Sequence, residues 1–394
     1  MTVERQAAAV AVAGFVVLGL PAGALGVAWP AMRSELSAPL YGLGLLLALF
    51  TIAYFVTAMF TGRLVEVLGG GRVVTAGAIL SGAALAIFFL APTWWVALIA
   101  ALVWGAASGP FDAGLNTFAA TRGVRLMGWL HAAWGLGAAL GPPLVLGVTA
   151  WAGSWRFAYL VMAATFVAIS VLGRYLGRAW SLQSEPSTGL SPSGARRPML
   201  LWTLTAFFFV YVGLETCAGQ WAFSQLTLSR GLAPATAATG VSLYWAALAA
   251  GRAGLGTAGH RLRARTLLDA SIAVALGACL MFWLAPAKIA SVVALPFLGL
   301  GLSTVFPLGL TLTPERFDPG RVARIIGYQM AAGVGGGGLV PVVLGVAIQS
   351  WGWLVLGPVL LGMALGQSGL HVASRLLESG RMTAASFAAG RRSG

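Results

Sequence analysis

Residues 122–142 read RGVRLMGWLHAAWGLGAALGP, and residues 321–341 read RVARIIGYQMAAGVGGGGLVP. Set against each other without a gap, they agree at eight of 21 positions: Arg122/Arg321, Arg125/Arg324, Gly128/Gly327, Ala132/Ala331, Ala133/Ala332, Gly137/Gly336, Leu140/Leu339 and Pro142/Pro341. Each stretch opens on two arginines, then runs apolar and Gly/Ala-rich to a proline. Gly/Ala-rich composition common to membrane helices is the competing account of the match. Two arginines and one proline held at a single offset favour duplication instead. The chain then consists of two related halves, as parallel repeats of a transport protein require.

Composition says what kind of halves these are. Of 394 residues, 59% are hydrophobic and 9% charged, with a mean hydropathy of +0.88. A soluble domain carries about 25% charged residues. This chain cannot clothe a water-soluble fold, and a soluble enzyme, a secreted disulfide scaffold and a disordered chain are excluded. The net charge of +14 calls for no nucleic acid, because membrane proteins collect basic residues in their cytoplasmic loops. Cys217 and Cys279 both sit in apolar runs, so neither a disulfide framework nor a cysteine metal site follows.

Apolar runs separated by charged or Pro/Gly-rich breaks predict twelve spans: 7–29, 39–60, 73–91, 95–119, 127–149, 157–173, 199–222, 235–250, 266–284, 289–311, 325–349 and 353–372. Each is near the roughly 20 residues a membrane helix needs. The first run also has signal-peptide features, but the span count requires that it be kept. With both termini cytoplasmic, all of the 24 basic residues except Arg33, Arg156, Arg230 and Lys288 fall on one side, as the positive-inside rule demands. That sorting places Arg252 in a cytoplasmic loop. Residues 180–198 (WSLQSEPSTGLSPSGARRP) are Ser/Pro-rich without apolar period and read as a linker. The expected organisation is a six-helix bundle over 1–179, the linker over 180–198, a second bundle over 199–374 and a disordered tail over 375–394.

The connection after the second span reads Gly62-Arg63-Leu64-Val65-Glu66-Val67-Leu68-Gly69-Gly70-Gly71-Arg72. It resembles the signature loop of the major facilitator superfamily, a Gly-x-Leu-x-Asp-x-x-Gly-Arg-Arg pattern. Gly62, Leu64 and Gly69 match, Glu66 replaces the aspartate, and Gly70 and Gly71 replace the two basic positions. The resemblance implies an all-α fold of two pseudo-symmetric six-helix bundles working by alternating access. It also implies a cytoplasmic gate built from Gly62, Glu66, Gly69 and Arg72, with Arg122 and Arg125 at the corresponding end of the fifth span.

Acids are scarce, and an acid inside a membrane is costly and usually functional. Only Asp112 and Glu215 lie well inside predicted spans. A carboxylate removed from water can take up and release a proton near neutral pH, so both are predicted to couple transport to protons. The competing account is that each is merely satisfied by hydrogen bonds between helices. Ser108, Asp112 and Asn116 recur every four residues and share one helical face. The acid-x-x-x-Asn pattern resembles the fucose permease branch of the superfamily, proton symporters for sugars. By that resemblance Asp112 binds proton or sugar and Asn116 is a sugar or helix partner. The branch usually carries a further acid in its first helix, and this chain has none.

His131 and Trp134 share a face three residues apart, as do Tyr211 and Glu215 four apart. An intramembrane histidine relays protons or donates to a solute, and a tryptophan face stacks on a sugar ring. A carbonyl-bonded histidine and a packed tryptophan fit the pattern equally. Ser108, Asn116, His131, Trp134, Tyr211, Tyr244 and Gln329 are the candidate solute-binding residues; Gln225, Trp245 and Tyr328 are further candidates, and Gln220 and Trp221 weaker ones. Gly128, Gly137, Gly141 and Pro142 resemble the antiporter motif of drug–proton exchangers, although small residues also let helices approach closely for any purpose.

No phosphate-binding loop, metalloprotease helix or nucleophile elbow occurs. Neither enzymatic activity, a cofactor nor a metal is expected. The sequence reads as a monomeric secondary transporter of the bacterial inner (plasma) membrane. Its partners are lipids, protons and a small polar, sugar-like solute. The alternative is a proton antiporter exporting an amphiphilic drug or metabolite, and a third class is a non-transporting membrane sensor.

Overall fold

A chain in hydrocarbon must satisfy its backbone polar groups within itself, which favours helices. The computed structural model describes residues 3–120, 122, 124–175, 197–258 and 263–390, and every regular element among them is helical. The first half comprises α1 (Val3–Glu35), α2 (Gly42–Met59), α3 (Thr61–Leu68), α4 (Gly70–Leu90), α5 (Trp94–Ala120), α6 (Val124–Ala152) and α7 (Arg156–Tyr175). The second comprises α8 (Pro198–Ser224), which continues as a π-turn over Gln225–Ser229, then α9 (Pro234–Ala258), α10 (Ala264–Leu284), α11 (Lys288–Ser303), α12 (Val305–Thr311), α13 (Thr313–Arg316), α14 (Pro319–Trp351) and α15 (Leu356–Gly390).

Among the described residues, eleven stretches are long and apolar enough to cross a membrane, α11 and α12 counting as one. The 25-residue α9 is of spanning length but is not among them. Its Ala, Gly and Thr content and Arg252 lower its hydropathy. The connection read as a signature loop is mostly the short helix α3, turned into α4 at Gly69, whose φ of 83° suits a residue without a Cβ. The expected linker lies outside the described residues except for Arg197 and Pro198. Much of the tail expected to be disordered continues α15 as helix to Gly390, in keeping with the strong helix propensity of alanine in MTAASFAA.

The two halves repeat one packing scheme. In the first half α6 packs on α1, α5 on α2 and on α4, and α4 on α7. In the second, α14 packs on α8, α11 on α9 and on α10, and α10 on α15. The repeat glycines explain why the match survives. A Cβ on Gly137 would lie 1.9 Å from the Val16 carbonyl oxygen on α1, and one on Gly336 would lie 2.0 Å from that of Phe209 on α8. Gly105 against Phe50 and Gly299 against Tyr244 form a second such pair, each at 2.1 Å. At these four crossings only hydrogen fits.

Between the halves, α6 packs on α9, α14 on α2 and α1 on α8. Define the linker end as the one where α7 gives way to α8. At the opposite, far end, Gln220 Nε2 donates to the Ala22 carbonyl at 2.7 Å and the Leu40 amide donates to Gln349 Oε1 at 3.1 Å. Gly26 lies against Gln220 and Gly44 against Val342. Nearer the middle, Ser242 Oγ donates to the Ala139 carbonyl at 2.9 Å, and Gly135 abuts Ala249. These contacts seal the halves from the far end to the middle. His131, one turn nearer the linker end, is exposed although α6 is wedged between α1 and α9. That exposure puts an opening between the halves on the linker side.

Candidate functional site

Three helices converge at the inner edge of the seal. From α8, Glu215 accepts a hydrogen bond from Arg252 Nη2 of α9 at 3.0 Å, and their side chains are only 12% and 17% exposed. From α6 in the other half, the Trp134 ring lies 6.0 Å from the Arg252 guanidinium carbon and meets Trp245 edge-on at 5.6 Å. Tyr211 donates to Glu215 and also lies 3.1 Å from the Leu302 carbonyl. Arg252 Nη2 is 3.3 Å from the Tyr211 hydroxyl, and Tyr244 donates to the Glu215 backbone carbonyl at 2.8 Å. His131 lies within electrostatic reach of Arg252 and meets Phe15 edge-on at 5.7 Å.

This arrangement corrects the sequence reading at its most consequential point. Arg252 is not a loop residue: α9 continues past the expected end at 250 and carries it inside the protein. Glu215 is therefore one member of a buried ion pair rather than a lone acid. An arginine after an apolar run reads as a loop boundary, and only its distance from Glu215 in the folded bundle says otherwise.

Asp112 is set differently. Tyr54 of α2 donates to its carboxylate, and Asn116 Nδ2 donates to the Asp112 backbone carbonyl at 3.1 Å. Among the described residues Asp112 has no ion-pair partner. Tyr54 stacks on Phe50, with ring centres 5.9 Å apart. Nothing in the sequence singles out Tyr54, since one tyrosine in an apolar run reads as packing.

Two candidates turn out to face inward within one half. Ser108 is buried, its Oγ 3.3 Å from that of Ser81 on α4, so it ties α5 to α4. Gln329 is fully buried, and its Oε1 accepts from Thr313 Oγ1 at 3.1 Å. Both are helix-packing groups. Tyr211 and Tyr244 are fully buried and brace Glu215. Of the weaker candidates, Gln220 serves the far-end seal, Gln225 Nε2 donates to the Trp353 carbonyl at 3.4 Å, and Tyr328 is 49% exposed.

Glu66 and Arg72 are exposed and make no ion pair among the described residues. Arg122 donates to the Phe118 carbonyl at 3.2 Å, with its guanidinium 3.7 Å above the Phe118 ring. The Arg125 side chain lies outside the described residues. Gly137 and Gly141 both abut α1 backbone, whereas Gly128 has open space; close packing accounts for two of the three antiporter-like glycines.

Ionic ties missed in the sequence brace each half from outside. At the far end, Arg156 Nε meets Glu35 Oε1 at 2.6 Å, Trp155 Nε1 donates to Glu35 Oε2 at 2.6 Å, and Arg156 Nη1 donates to the Phe89 carbonyl at 2.8 Å. Arg230 Nη2 likewise donates to the Phe282 carbonyl at 2.7 Å. Each arginine answers an unpaired carbonyl at a helix C-terminus. At the linker end, Asp269 binds His371 at 2.6 Å and Arg375 at 2.5 Å, and Arg316 meets Glu378 at 2.8 Å. Burial pushes the Arg316 guanidinium below its ordinary range, while Glu378 opposes the shift.

The fold therefore has duplicated bundles and a buried ion pair where they meet. The Major Facilitator Superfamily profile matches residues 11–341. The chain belongs to the major facilitator superfamily. It is a multi-pass membrane transporter. Over 133 residues this major facilitator is 32% identical to an uncharacterised transporter, y4wD, of Sinorhizobium fredii, a match covering 33% of this chain and 35% of that protein. The solved structure of the nucleoside transporter NupG is similar with a TM-score of 0.71 at 14% identity, over 96% of this chain and 99% of that one. A point variant of the Escherichia coli fucose:proton symporter FucP gives 0.62 at 16% identity, over 95% and 99%. At such identities the two structures speak for the fold alone.

Proposed function

We propose that this major facilitator is a proton-coupled secondary transporter that moves a small polar, sugar-like solute by alternating access, with Asp112 as its proton carrier. The observation that carries the reading is the setting of Asp112: a carboxylate inside a spanning helix, held by the Tyr54 hydroxyl, with no cation paired to it among the described residues. Neutralising that group needs a proton, because an unpaired charge in the membrane is costly. The proton then crosses as the halves rock. Glu215 is already answered by Arg252, so it does not need a proton for the same reason.

In this reading α9 is the twelfth span. Residues 1–179 and 199–374 are the two moving bundles, and the linker joins them in the cytoplasm with both termini. The distribution of basic residues supports that orientation in a bacterial inner membrane, and the protein works as a monomer without a cofactor. The linker end is then cytoplasmic, and the cleft faces inward.

Reconstitution into liposomes under an imposed pH gradient tests it. Radiolabelled sugar should accumulate on the alkaline side, and Asp112→Asn should abolish accumulation while retaining exchange of solute at equal pH. Undiminished gradient-driven accumulation by Asp112→Asn would overturn the assignment. Extrusion of an amphiphile against the gradient would replace symport by antiport.

A further inference from the structure

We infer that Arg252 holds an anionic group of the solute, so that the cargo is a hydroxylated organic acid of the sugar-acid class. This deepens the reading above and rests on the closed end of the cleft being the solute site.

The guanidinium is half used. Arginine offers five N–H donors in a planar fork. Both hydrogen bonds from Arg252, to Glu215 and to Tyr211, leave from Nη2. Nε and Nη1 have no partner among the described residues, and the side chain retains 17% exposure. The two edges that take a carboxylate through parallel hydrogen bonds, Nε/Nη2 and Nη1/Nη2, share Nη2, so a solute carboxylate bound in that way displaces Glu215 or Tyr211 from it. A neutral hydroxyl answers one of the free donors and leaves the pair with Glu215 in place.

The surroundings suit the rest of such a molecule. Trp134, from the opposite half, presents its ring beside the guanidinium, a surface on which the apolar face of a sugar ring packs. His131 lies on the open side of the same place. Both halves of the protein thus contribute side chains around one cation.

Glu215 becomes a competitor in this arrangement. It and the solute carboxylate call on the same guanidinium, so anion binding weakens the internal pair. Removing the Glu215 charge should therefore strengthen anion binding, whereas a pair that only braces α8 against α9 predicts no such gain.

The experiment measures binding of D-galacturonate and D-galactose, alike except for the acid, to the full chain in lipid nanodiscs. Wild type should bind galacturonate at least tenfold more tightly than galactose. Glu215→Gln should raise galacturonate affinity further and leave galactose unchanged. The double variant Glu215→Gln/Arg252→Gln leaves no charge unpaired, so it should stay folded by thermal unfolding while losing the preference for the acid. A preference that survives in the double variant overturns the proposal. Wild type that binds galactose as well as galacturonate overturns it too, yet leaves sugar transport standing. Binding of neither probe sinks both readings.

Discussion

Arg252 and Glu215 meet at 3.0 Å inside the bundle, although 37 residues and a helix reversal separate them in sequence. The pair joins α8 to α9 at the place where α9 also abuts the opposite half through Trp134. Taking both charges out of water is costly, and their attraction roughly offsets that cost only while both remain. Arg252→Gln alone strands a buried carboxylate and should destabilise the protein by about 3–5 kcal/mol. The double variant Glu215→Gln/Arg252→Gln should return to within about 1 kcal/mol of wild type. Thermal unfolding in nanodiscs distinguishes them; equal melting of the single and double variants would mean that the pair carries no such coupling.

The duplicated helix crossings make a second contrast. Gly137→Ala and Gly336→Ala put a methyl group on a backbone carbonyl that cannot retreat. Overpacking of this kind costs about 1–3 kcal/mol or more. Gly128→Ala and Gly327→Ala are the controls, since both positions have open space and sit inside helices, where alanine gains up to about 1 kcal/mol of propensity. The first pair should lower the melting temperature and the yield of folded protein, and the second should not. Loss of folding at Gly128 would show that composition, rather than crossing geometry, governs these sites.

The same glycines show what a sequence of this kind discloses. Spans, duplication and the crossing positions are local or periodic signals, and Gly137 and Gly336 are matched because one packing scheme is used twice. Partnerships across the bundle leave no such trace. Tyr54 reads as one more aromatic residue in an apolar run, and Arg252 as the start of a loop. Asp112 and Glu215 stand out equally as rare acids, yet one is bonded by a hydroxyl and the other by a guanidinium. Ser108 keeps step with Asp112 in helical register but turns to Ser81. Spacing fixes a face of the helix and leaves open which neighbour that face meets.

Tyr54 is the hydroxyl through which Asp112 is held. Tyr54→Phe removes a donor to an acid and keeps the ring stacked on Phe50. A hydrogen bond to a charged group contributes about 1.5–3 kcal/mol, so the balance between protonated and deprotonated Asp112 should move by about one to two pH units. The bond stabilises the carboxylate, and its loss favours the protonated acid. The pH dependence of solute uptake should therefore shift toward higher pH in Tyr54→Phe, with the maximal rate reduced less than in Asp112→Asn. An unshifted profile would separate Tyr54 from coupling.

The far-end seal fixes which side of the membrane reaches the site. Cys217 and Cys279 are both buried, so the wild-type chain offers little reaction with a membrane-impermeant thiol reagent. His131→Cys places a thiol on the open side of Arg252, and Gln220→Cys places one within the seal, where Gln220 is 3% exposed and bonds Ala22 of the opposite half. In this state, reagent added from the linker side should modify His131→Cys and spare Gln220→Cys. If the halves rock about their middle, a solute that drives the outward state should protect the first and expose the second. Modification of His131→Cys from the far side without solute would place the opening at the other end, and with it the direction in which the carrier rests.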